Sequence, residues 1–380
     1  MTLGFEIIAR DGRARAGRLI TRRGPVPTPV FMPVATQGAV KAMSPRDVRE
    51  VGGAMVLANT YHLLLRPGVE VVRELGGLHR FMGWDGPILT DSGGFQVYSL
   101  APLRRIEEEG VIFRSHLDGA LVSLTPEEAI AAQQALGSDI MMVLDECPPA
   151  GAPRGYLLEA LRRDERWARR AIKVWDRASG AGLMGIIQGG VDLELRAMSV
   201  ELICALGLDG YALGGLSVGE PKQKMWEVIE ATVQLLPQDK PVYLMGVGAP
   251  EDLVKAVGLG VDMFDCVLPT RMARTGTLLT STGRINIKNA RYARDERPVE
   301  MGCGCYTCRN FSRAYLRHLF MSRELLAYTL NTIHNLHYIL GLMAGLRRAI
   351  EEGNYQAFAR DVLESLAQGG AEADQGGWDA

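Results

Sequence analysis

No stretch of the sequence is apolar over a length that would cross a membrane. The strongest apolar run, from Leu336 to Leu346, is too short to span a bilayer and is followed by Arg347 and Arg348. The N-terminus lacks the apolar segment that a secretion signal requires. We therefore expect a soluble, cytoplasmic protein with no membrane partner.

Cysteine is scarce, and neither sign of charge dominates. Three of the six cysteines, Cys147, Cys204 and Cys266, stand alone in the sequence, which fits a reducing compartment better than a disulfide framework. The formal net charge is −2, so the overall charge does not indicate a nucleic-acid partner. A composition of 47% hydrophobic and 23% charged residues is ordinary for a soluble globular protein with a large core.

The other three cysteines lie close together in Cys303-Gly-Cys305-Tyr-Thr-Cys308, and His334 follows later in the chain. Zinc prefers four thiolate or imidazole ligands in a tetrahedron, and a short cysteine cluster completed by a distant histidine builds such a site. Four protein ligands would leave the metal no open position for water, so we predict one structural Zn²⁺ per subunit. The alternative is three buried thiols beside an unrelated histidine.

Positive charge is concentrated near this cysteine cluster. The basic residues concerned are Arg271, Arg274, Arg284, Lys288, Arg291, Arg294 and Arg297, followed by Arg309, Arg313, Arg317 and Arg323. Such a run is often no more than a solvated face. Beside a metal-stabilised module it can equally bind a polyanion, and both interpretations stay open at this point.

Short apolar runs alternate with helical patterns along most of the chain. The predicted strands are Val30–Thr36, Ala54–Asn59, Pro87–Asp91, Asp139–Asp145, Leu183–Gln188, Tyr211–Gly215, Val242–Gly246 and Val261–Asp265. Helix starts are indicated at Ser44-Pro45, Thr125-Pro126, Glu220-Pro221 and Ala249-Pro250. Eight strands with intervening helices predict an α/β protein with a (β/α)₈ TIM barrel, in preference to a doubly wound open sheet.

Departures from the repeat suggest a division of the chain. Hairpins are predicted to turn at Asp11-Gly12 and at Asp118-Gly119. We expect the barrel and its N-terminal hairpin in residues 1–298 and an inserted zinc-binding subdomain in residues 299–335. Residues 336–366 are expected to form C-terminal helices that complete the barrel. The Gly- and Ala-rich residues 367–380 are expected to be a disordered tail.

The predicted strands end in polar residues or glycine. These ends are Thr36, Asn59, Asp91, Asp145, Gln188, Gly214-Gly215, Gly246 and Asp265. Each aspartate taken alone could be a helix N-cap, but together they indicate a pocket at the C-terminal face of the barrel, where such enzymes have their active sites. Two carboxylates facing one substrate can break a glycosidic bond, so Asp91 and Asp265 are the candidates. A carbohydrate-cleaving barrel with water as acceptor would also fit this pair.

Five segments give the chain a strong resemblance to a known family. They are Asp-Ser-Gly-Gly-Phe-Gln (91–96), Leu-Asp-Glu-Cys-Pro-Pro (144–149), Gly-Gly-Leu-Ser-Val-Gly (214–219), Met-Gly-Val-Gly (245–248) and Phe-Asp-Cys-Val-Leu-Pro-Thr-Arg (264–271). In this order, ahead of a Cys-x-Cys-x-x-Cys…His zinc site, they resemble the bacterial tRNA-guanine transglycosylases over nearly the whole length. Cys147 and Val218 match the bacterial branch.

The resemblance implies an exchange of bases at the wobble position, 34, of tRNAs for Asp, Asn, His and Tyr, whose anticodons begin with guanine. Guanine would leave, and 7-aminomethyl-7-deazaguanine (preQ1) would enter on the route to queuosine. Asp265 would be the nucleophile that forms a covalent link to the ribose, and Asp91 the general acid/base. The alternative is a non-catalytic, zinc-stabilised RNA-binding paralogue.

The resemblance also implies the residues that bind substrate. The base pocket would contain Ser92, Phe95, Asp145, Cys147, Gln188, Gly215, Leu216, Val218, Met245 and Gly246. Phe95 would stack on the base at a position where some members carry tyrosine, so only a hydroxyl is lost. Arg271 and Arg274 would contact the anticodon arm of the tRNA. The family is homodimeric, and Phe81, Phe311, Tyr315 and His318 align with its interface, although each could equally be local core.

Overall fold

The computed structural model describes residues 3–96 and 104–374. The strands, in chain order, are β1 Gly4–Asp11, β2 Ala14–Thr21, β3 Gly24–Thr28, β4 Val30–Met32, β5 Val34–Ala35, β6 Val56–Ala58, β7 Ile88–Thr90, β8 Arg104–Ile106, β9 Val111–Arg114, β10 Leu121–Leu124, β11 Ile140–Met142, β12 Gly182–Ile187, β13 Gly210–Leu213, β14 Val242–Leu244, β15 Met263–Asp265, β16 Thr277–Thr280 and β17 Gly283–Asn286. All eight predicted barrel strands are present, although most are shorter than the apolar runs that indicated them.

The helices surround this sheet and then extend beyond it. In chain order they are α1 Pro45–Glu50, α2 Thr60–Leu65, α3 Val69–Glu74, α4 Gly77–Met82, α5 Pro126–Leu136, α6 Arg154–Val174, α7 Leu193–Cys204, α8 Lys222–Leu235, α9 Pro250–Gly258, α10 Leu268–Thr275, α11 Tyr306–Asn310, α12 Arg313–Met321, α13 Leu325–Glu351 and α14 Tyr355–Asp374. No helix within the described residues is long and apolar enough to span a membrane.

The barrel closes through a strand that is interrupted at Pro33. Its strands pair in parallel in the order β4-β15-β14-β13-β12-β11-β7-β6-β5, and β4 and β5 are the two halves of the first predicted strand. Proline has no N–H to give to a ladder, so the strand breaks there, while the Pro33 carbonyl still accepts from Leu57 N at 3.1 Å. The predicted TIM barrel is confirmed.

The helix starts follow the predicted chemistry. Ser44 and Thr125 each accept a hydrogen bond from the third residue of the following helix, and Asp47 and Glu128 complete the two capping boxes. Pro250 occupies the first turn of α9, where its missing N–H costs nothing. The predicted hairpins are also present: β1 and β2 are joined by a tight turn after Asp11, and β9 pairs with β10.

Buried ion pairs fix the N-terminal end of the barrel. Arg15 on β2 donates from Nε to Asp262 Oδ1 at 2.8 Å, and neither side chain is appreciably exposed. Asp139 accepts from Arg22 Nε at 2.7 Å and contacts His79 Nε2 at 2.9 Å. Because Asp139 and Asp262 precede β11 and β15, these pairs hold strand starts, and removing one partner would leave a buried charge at a cost of about 3–5 kcal/mol.

The apolar core near the zinc-binding module includes residues on both sides of position 299. The hairpin β16–β17, α12 and the start of α13 share a separate apolar core that includes Leu278, Ile287, Leu316 and Leu330. This core begins well before residue 299. Helix α13 runs without a break across the expected boundary at residues 335 and 336. One helix therefore serves both the module and the barrel.

The last helix also differs from the expected tail. Helix α14 continues to Asp374, whereas the sequence predicted disorder from Ala367 onwards. Alanine and glutamate favour helix, and they offset the local cost of the paired glycines in this segment. Residues 375–380 of the expected tail lie outside the described part of the chain.

Candidate active site

Three aspartates meet at the C-terminal face of the barrel. Asp265 is the last residue of β15, Asp91 follows β7 directly, and Asp145 lies in the loop after β11. Burial raises the pKa of Asp91 most, and the negative charges of Asp265 and Asp145 raise it further, so both carboxylates lie near Asp91. The structure therefore brings together the aspartates that the strand ends had indicated.

Asp265 is held by one of its two carboxylate oxygens. Tyr243 Oη donates to Oδ1 at 2.6 Å, and the Gly246 amide donates to the same oxygen at 2.8 Å. No hydrogen bond to Oδ2 is found among the described residues. Burial raises the pKa of Asp265, although the Tyr243 hydroxyl and the Gly246 amide oppose that shift. A positioned carboxylate with one unengaged oxygen is suited to nucleophilic attack.

Asp91 is buried and held by both oxygens. Asn59 Nδ2 donates to Oδ2 at 2.5 Å, and Thr60 N donates to Oδ1 at 2.9 Å. Burial raises the pKa of Asp91 to about 7, and the neighbouring carboxylates of Asp265 and Asp145 add to the shift. A carboxyl group with a pKa near neutral can both give and take a proton, as a general acid/base must.

Asp145 and Gln188 form the side of the site. Gln188 Nε2 donates to Asp145 Oδ2 at 2.7 Å, and Ser92 Oγ lies 3.4 Å from Asp145 Oδ1. Burial raises the pKa of Asp145 to about 6. Gln188 Oε1 is buried and has no hydrogen-bond partner among the described residues. A purine edge presents hydrogen-bond donors and acceptors, and the carboxylate and amide groups on this wall can accept from and donate to them.

Two glycines let the backbone approach Gln188. A Cβ atom at Gly214 would lie 2.6 Å from Gln188 Nε2, and one at Gly215 would lie 2.3 Å from Oε1. Gly215 also has φ of +63°, which side chains disfavour. Glycine is therefore required at both positions if the peptide is to line the pocket.

The remaining predicted pocket residues differ in how far they are buried. Cys147 and Leu216 are buried, Val218 and Met245 are partly buried, and Phe95 is 46% exposed. The Gly246 amide contacts Asp265 directly, so its role in this structure is to hold the carboxylate.

The cysteine cluster forms the predicted metal site. The ligand atoms of Cys303, Cys305, Cys308 and His334 all lie within 4.8 Å of one another. The three Sγ atoms are 3.8, 3.6 and 3.3 Å from His334 Nδ1. Tetrahedral zinc would separate sulfur and nitrogen ligands by about 3.6 Å, which these distances bracket. The donor set and its geometry therefore fit a structural Zn²⁺ ion.

A second contact fixes which nitrogen of His334 faces the cysteines. Nε2 lies 2.7 Å from the Leu279 carbonyl, which can only accept, so Nε2 carries the hydrogen and Nδ1 keeps its lone pair for the metal. The same stretch of α13 supports α10, because Asn335 Nδ2 donates to the Pro269 carbonyl at 3.0 Å and Asn331 Nδ2 to Ala273 at 3.1 Å.

The family follows from comparison with known proteins. A family model described as queuine tRNA-ribosyltransferase matches residues 11–368. The chain belongs to this family. A queuine tRNA-ribosyltransferase of Pelotomaculum thermopropionicum is 56% identical over 365 residues, which cover 96% of this chain and 98% of that protein. One of Thermus thermophilus is 57% identical over 357 residues, covering 94% of this chain and 92% of that protein.

Three residues of this queuine tRNA-ribosyltransferase family member were not identified from the sequence. Tyr243 contacts Asp265 from inside β14, and Glu220 accepts hydrogen bonds from Ser217 N and Val218 N in the loop after β13. Arg196 on α7 is buried behind the pocket. The sequence indicates Glu220 only as the start of a helix, although Glu220 directly follows the Gly-Gly-Leu-Ser-Val-Gly segment. Nothing local distinguishes Arg196 or Tyr243.

The predicted RNA-binding arginines lie beside the nucleophile candidate. Arg271 and Arg274 are both on α10, which begins three residues after Asp265, and both are exposed. Arg284 forms an ion pair with Glu251 at 3.5 Å, and Arg297 pairs with Asp295 at 2.8 Å. Part of the basic run is therefore neutralised locally, whereas no ion pair is found for Arg271 or Arg274 within residues 3–96 and 104–374.

We expect the stability of the protein to depend on pH through Asp91. Its pKa is about 7 when folded and about 3.9 when unfolded, so the folded state holds a proton between these values. The stability that Asp91 contributes is complete below about pH 4 and is lost as the pH rises through 7. The free energy of unfolding of Asp91→Asn relative to wild type should therefore increase from pH 5.5 to pH 8, as measured by urea denaturation.

The control is Asp118→Asn. Asp118 is fully exposed, and its pKa is lowered by a hydrogen bond with Ser115, so it is already ionised throughout this range. The difference in free energy of unfolding between this variant and wild type should be the same at pH 5.5 and pH 8. If Asp91→Asn also differed from wild type by the same free energy of unfolding at both pH values, the raised pKa of Asp91 would be contradicted.

Proposed function

We propose that this protein, a tRNA-guanine transglycosylase, exchanges guanine at the wobble position of GUN-anticodon tRNAs for preQ1 in the cytoplasm. The observation that carries the proposal is the pairing of two aspartates at one end of the barrel. Asp265 Oδ2 has no hydrogen bond among the described residues, and Asp91 has a pKa of about 7. Family membership supports the tRNA and base substrates. The target nucleotide would leave its stack to reach the two aspartates.

In the first step Asp265 Oδ2 attacks C1′ of the ribose. A bond forms between that oxygen and C1′, the bond from C1′ to guanine N9 breaks, and its electron pair goes to the base. Asp91 in its protonated form supplies a proton, so guanine leaves neutral. Tyr243 and Gly246 orient the attacking carboxylate through Oδ1.

In the second step the incoming base reverses this path. Asp91, now ionised, takes the proton from N9 of preQ1, and N9 attacks C1′ as the bond to Asp265 breaks. Two inversions at one carbon give net retention, and both aspartates return to their starting protonation states. The acceptor is a base instead of water, which distinguishes this reaction from carbohydrate cleavage.

The pocket wall would recognise the base. Asp145 would accept from the pyrimidine edge, and Gln188 with the Gly215 amide would bind its carbonyl oxygen. The Leu216 carbonyl would accept from the aminomethyl group. Each partner lies on the strand ends that already surround Asp91. The buried Gln188–Asp145 contact supports this assignment because it fixes both side chains before a ligand arrives.

A homodimer is also part of this proposal. Phe311 stacks on Tyr315 with ring centroids 5.4 Å apart, and Tyr315 lies 6.5 Å from His318. Tyr315 is 39% exposed and Phe81 is 40% exposed. Aromatic surface of this kind favours a protein interface.

The proposed function is tested by base exchange. Purified protein would be incubated with labelled guanine and a tRNA transcript carrying a UGU anticodon-loop segment, with a transcript that has adenine at the exchanged position as control. We expect label only in the first RNA, and unlabelled preQ1 should displace it. A folded, zinc-loaded protein that binds both transcripts but incorporates no label would favour the non-catalytic RNA-binding paralogue.

We expect Arg271 and Arg274 to contribute to tRNA binding by charge. Replacing both with alanine should weaken tRNA binding about 10- to 100-fold at low salt and reduce the slope of log K against log salt by about 1 to 2. Filter binding at several salt concentrations would measure both quantities. Arg18→Ala, an exposed arginine on β2, is the control and should leave the slope unchanged. An unchanged slope in the double variant would contradict the RNA contact.

A further inference from the structure

Arg196 is a fully buried arginine behind the base pocket. It lies on α7 and is only 1% exposed. Its guanidinium donates to three backbone carbonyls: from Nη1 to Ile187 at 2.8 Å, from Nη2 to Gly214 at 2.9 Å, and from Nε to Gly190 at 2.9 Å. One side chain thus connects the ends of β12 and β13, the two strands that carry Gln188 and Gly215.

This cation has no close counter-ion. Among the described residues, no carboxylate lies within ion-pairing distance of Arg196. Burial lowers its pKa to about 10, Cys147 and Glu220 oppose the shift, and the group still carries its charge at neutral pH. Burying a charge without a paired carboxylate lowers stability.

The carbonyl of Gly214 and the N–H of Gly215 belong to the same peptide group. A cation bonded to the carbonyl oxygen withdraws electrons from the amide and makes its N–H a stronger donor. It also fixes the plane of the peptide, and with it the direction of that N–H. The proposed function places this N–H on the carbonyl oxygen of the base.

Helix α7 holds the neighbouring peptide in the same way. The Ile187 carbonyl accepts from Arg196, and the Gln188 amide donates to Ser199 Oγ at 3.1 Å. Both ends of the peptide that leads into Gln188 are therefore bonded to this helix. Gln188, the second group aimed at the base carbonyl, is positioned by the same element.

We propose that Arg196 is a positioning residue for base recognition, which polarises and orients the Gly214–Gly215 peptide so that the Gly215 N–H binds the carbonyl oxygen of the base. This inference rests on the proposed function. When guanine departs, electron density moves onto the ring and its carbonyl oxygen, so a stronger donor there also favours departure. The stronger Gly215 N–H donor improves binding only if the base offers an atom that is a strong hydrogen-bond acceptor, as its carbonyl oxygen is.

The test compares guanine with 6-thioguanine, in which sulfur, a much weaker acceptor, replaces that oxygen. Dissociation constants for both bases would be measured by calorimetry for wild type, Arg196→Met and Arg196→Lys, together with guanine exchange into tRNA. Arg347→Met is the control, because Arg347 is partly buried and donates to a backbone carbonyl, that of Pro29, at the other end of the barrel.

We expect Arg196→Met to weaken guanine binding about 10-fold or more and 6-thioguanine binding less than about 3-fold, with the lysine variant between wild type and Met. Arg347→Met should change neither. Equal losses for the two bases, or no loss, would overturn the inference and leave Arg196 a structural residue. If the methionine variant fails to fold, the lysine variant provides the test, through the same comparison of the losses in guanine and 6-thioguanine binding.

The wild-type measurements separate this inference from the function on which it rests. Absence of guanine exchange by wild type would refute the proposed function. Exchange by wild type, with the same preference between the two bases in every folded variant, would refute only the role of Arg196.

Discussion

Asp265→Asn is expected to abolish the covalent RNA adduct and to lower the exchange rate by about 10³-fold or more, because an amide oxygen is a poor nucleophile. Asparagine keeps the size of the side chain and an oxygen that can accept from Tyr243 and Gly246. The variant should therefore fold and bind tRNA as wild type does. Denaturing electrophoresis with labelled tRNA would detect the adduct, and single-turnover exchange would give the rate.

Tyr243→Phe is the matched comparison. It removes the hydroxyl that orients Asp265 but leaves both carboxylate oxygens, so the adduct should still form, with a rate lowered about 10-fold. A covalent adduct in Asp265→Asn would show that another group attacks the ribose. Adduct formation by both proteins, with similar rates, would place the nucleophile elsewhere in the site.

Cys305→Ala is expected to remove the zinc ion and unfold the module around it. Cys305 is 2% exposed, and structural zinc sites of this kind contribute about 10 kcal/mol or more to folding of small domains. Because α13 joins the module to the barrel, part of that loss should reach the whole protein. We expect a fall in Tm of about 10 °C or more, measured by calorimetry, with zinc content measured by mass spectrometry.

The control for this change is Cys204→Ala, at a partly buried cysteine on α7 outside the cluster. It should retain zinc and change Tm by only a few degrees, about the effect of a small core substitution. Full zinc content in Cys305→Ala, or an unchanged Tm after complete loss of zinc, would contradict the structural role of the metal.

Short-range sequence patterns were sufficient to predict the barrel. Capping residues such as Ser44 and Thr125, and the apolar run from Val242, depend on neighbours in sequence, so the sequence indicates them directly. The aspartates at strand ends could also be placed together, because the C-terminal ends of barrel strands meet at one face. The metal ligands needed only their residue types and spacing.

Contacts between segments that are distant in sequence could not be predicted from short-range patterns. Arg196 lies in a helix whose sequence has no marked polar and apolar faces, and only the folded chain shows that it reaches the carbonyls of Ile187 and Gly214. Tyr243 looks like any aromatic residue of a buried strand until Asp265 is placed beside it. The apolar core that joins residues of the β16 hairpin to α13 is likewise visible only in the folded chain.

The position of helix α13 near the C-terminus also affects the order in which parts of the protein can fold during synthesis. Asn331 and Asn335 of this helix brace α10, which carries Arg271 and Arg274, and His334 between them closes the metal site. A ribosome makes all eight barrel strands before it reaches this helix. The helix that carries Arg271 and Arg274 therefore gains this support only when synthesis is almost complete.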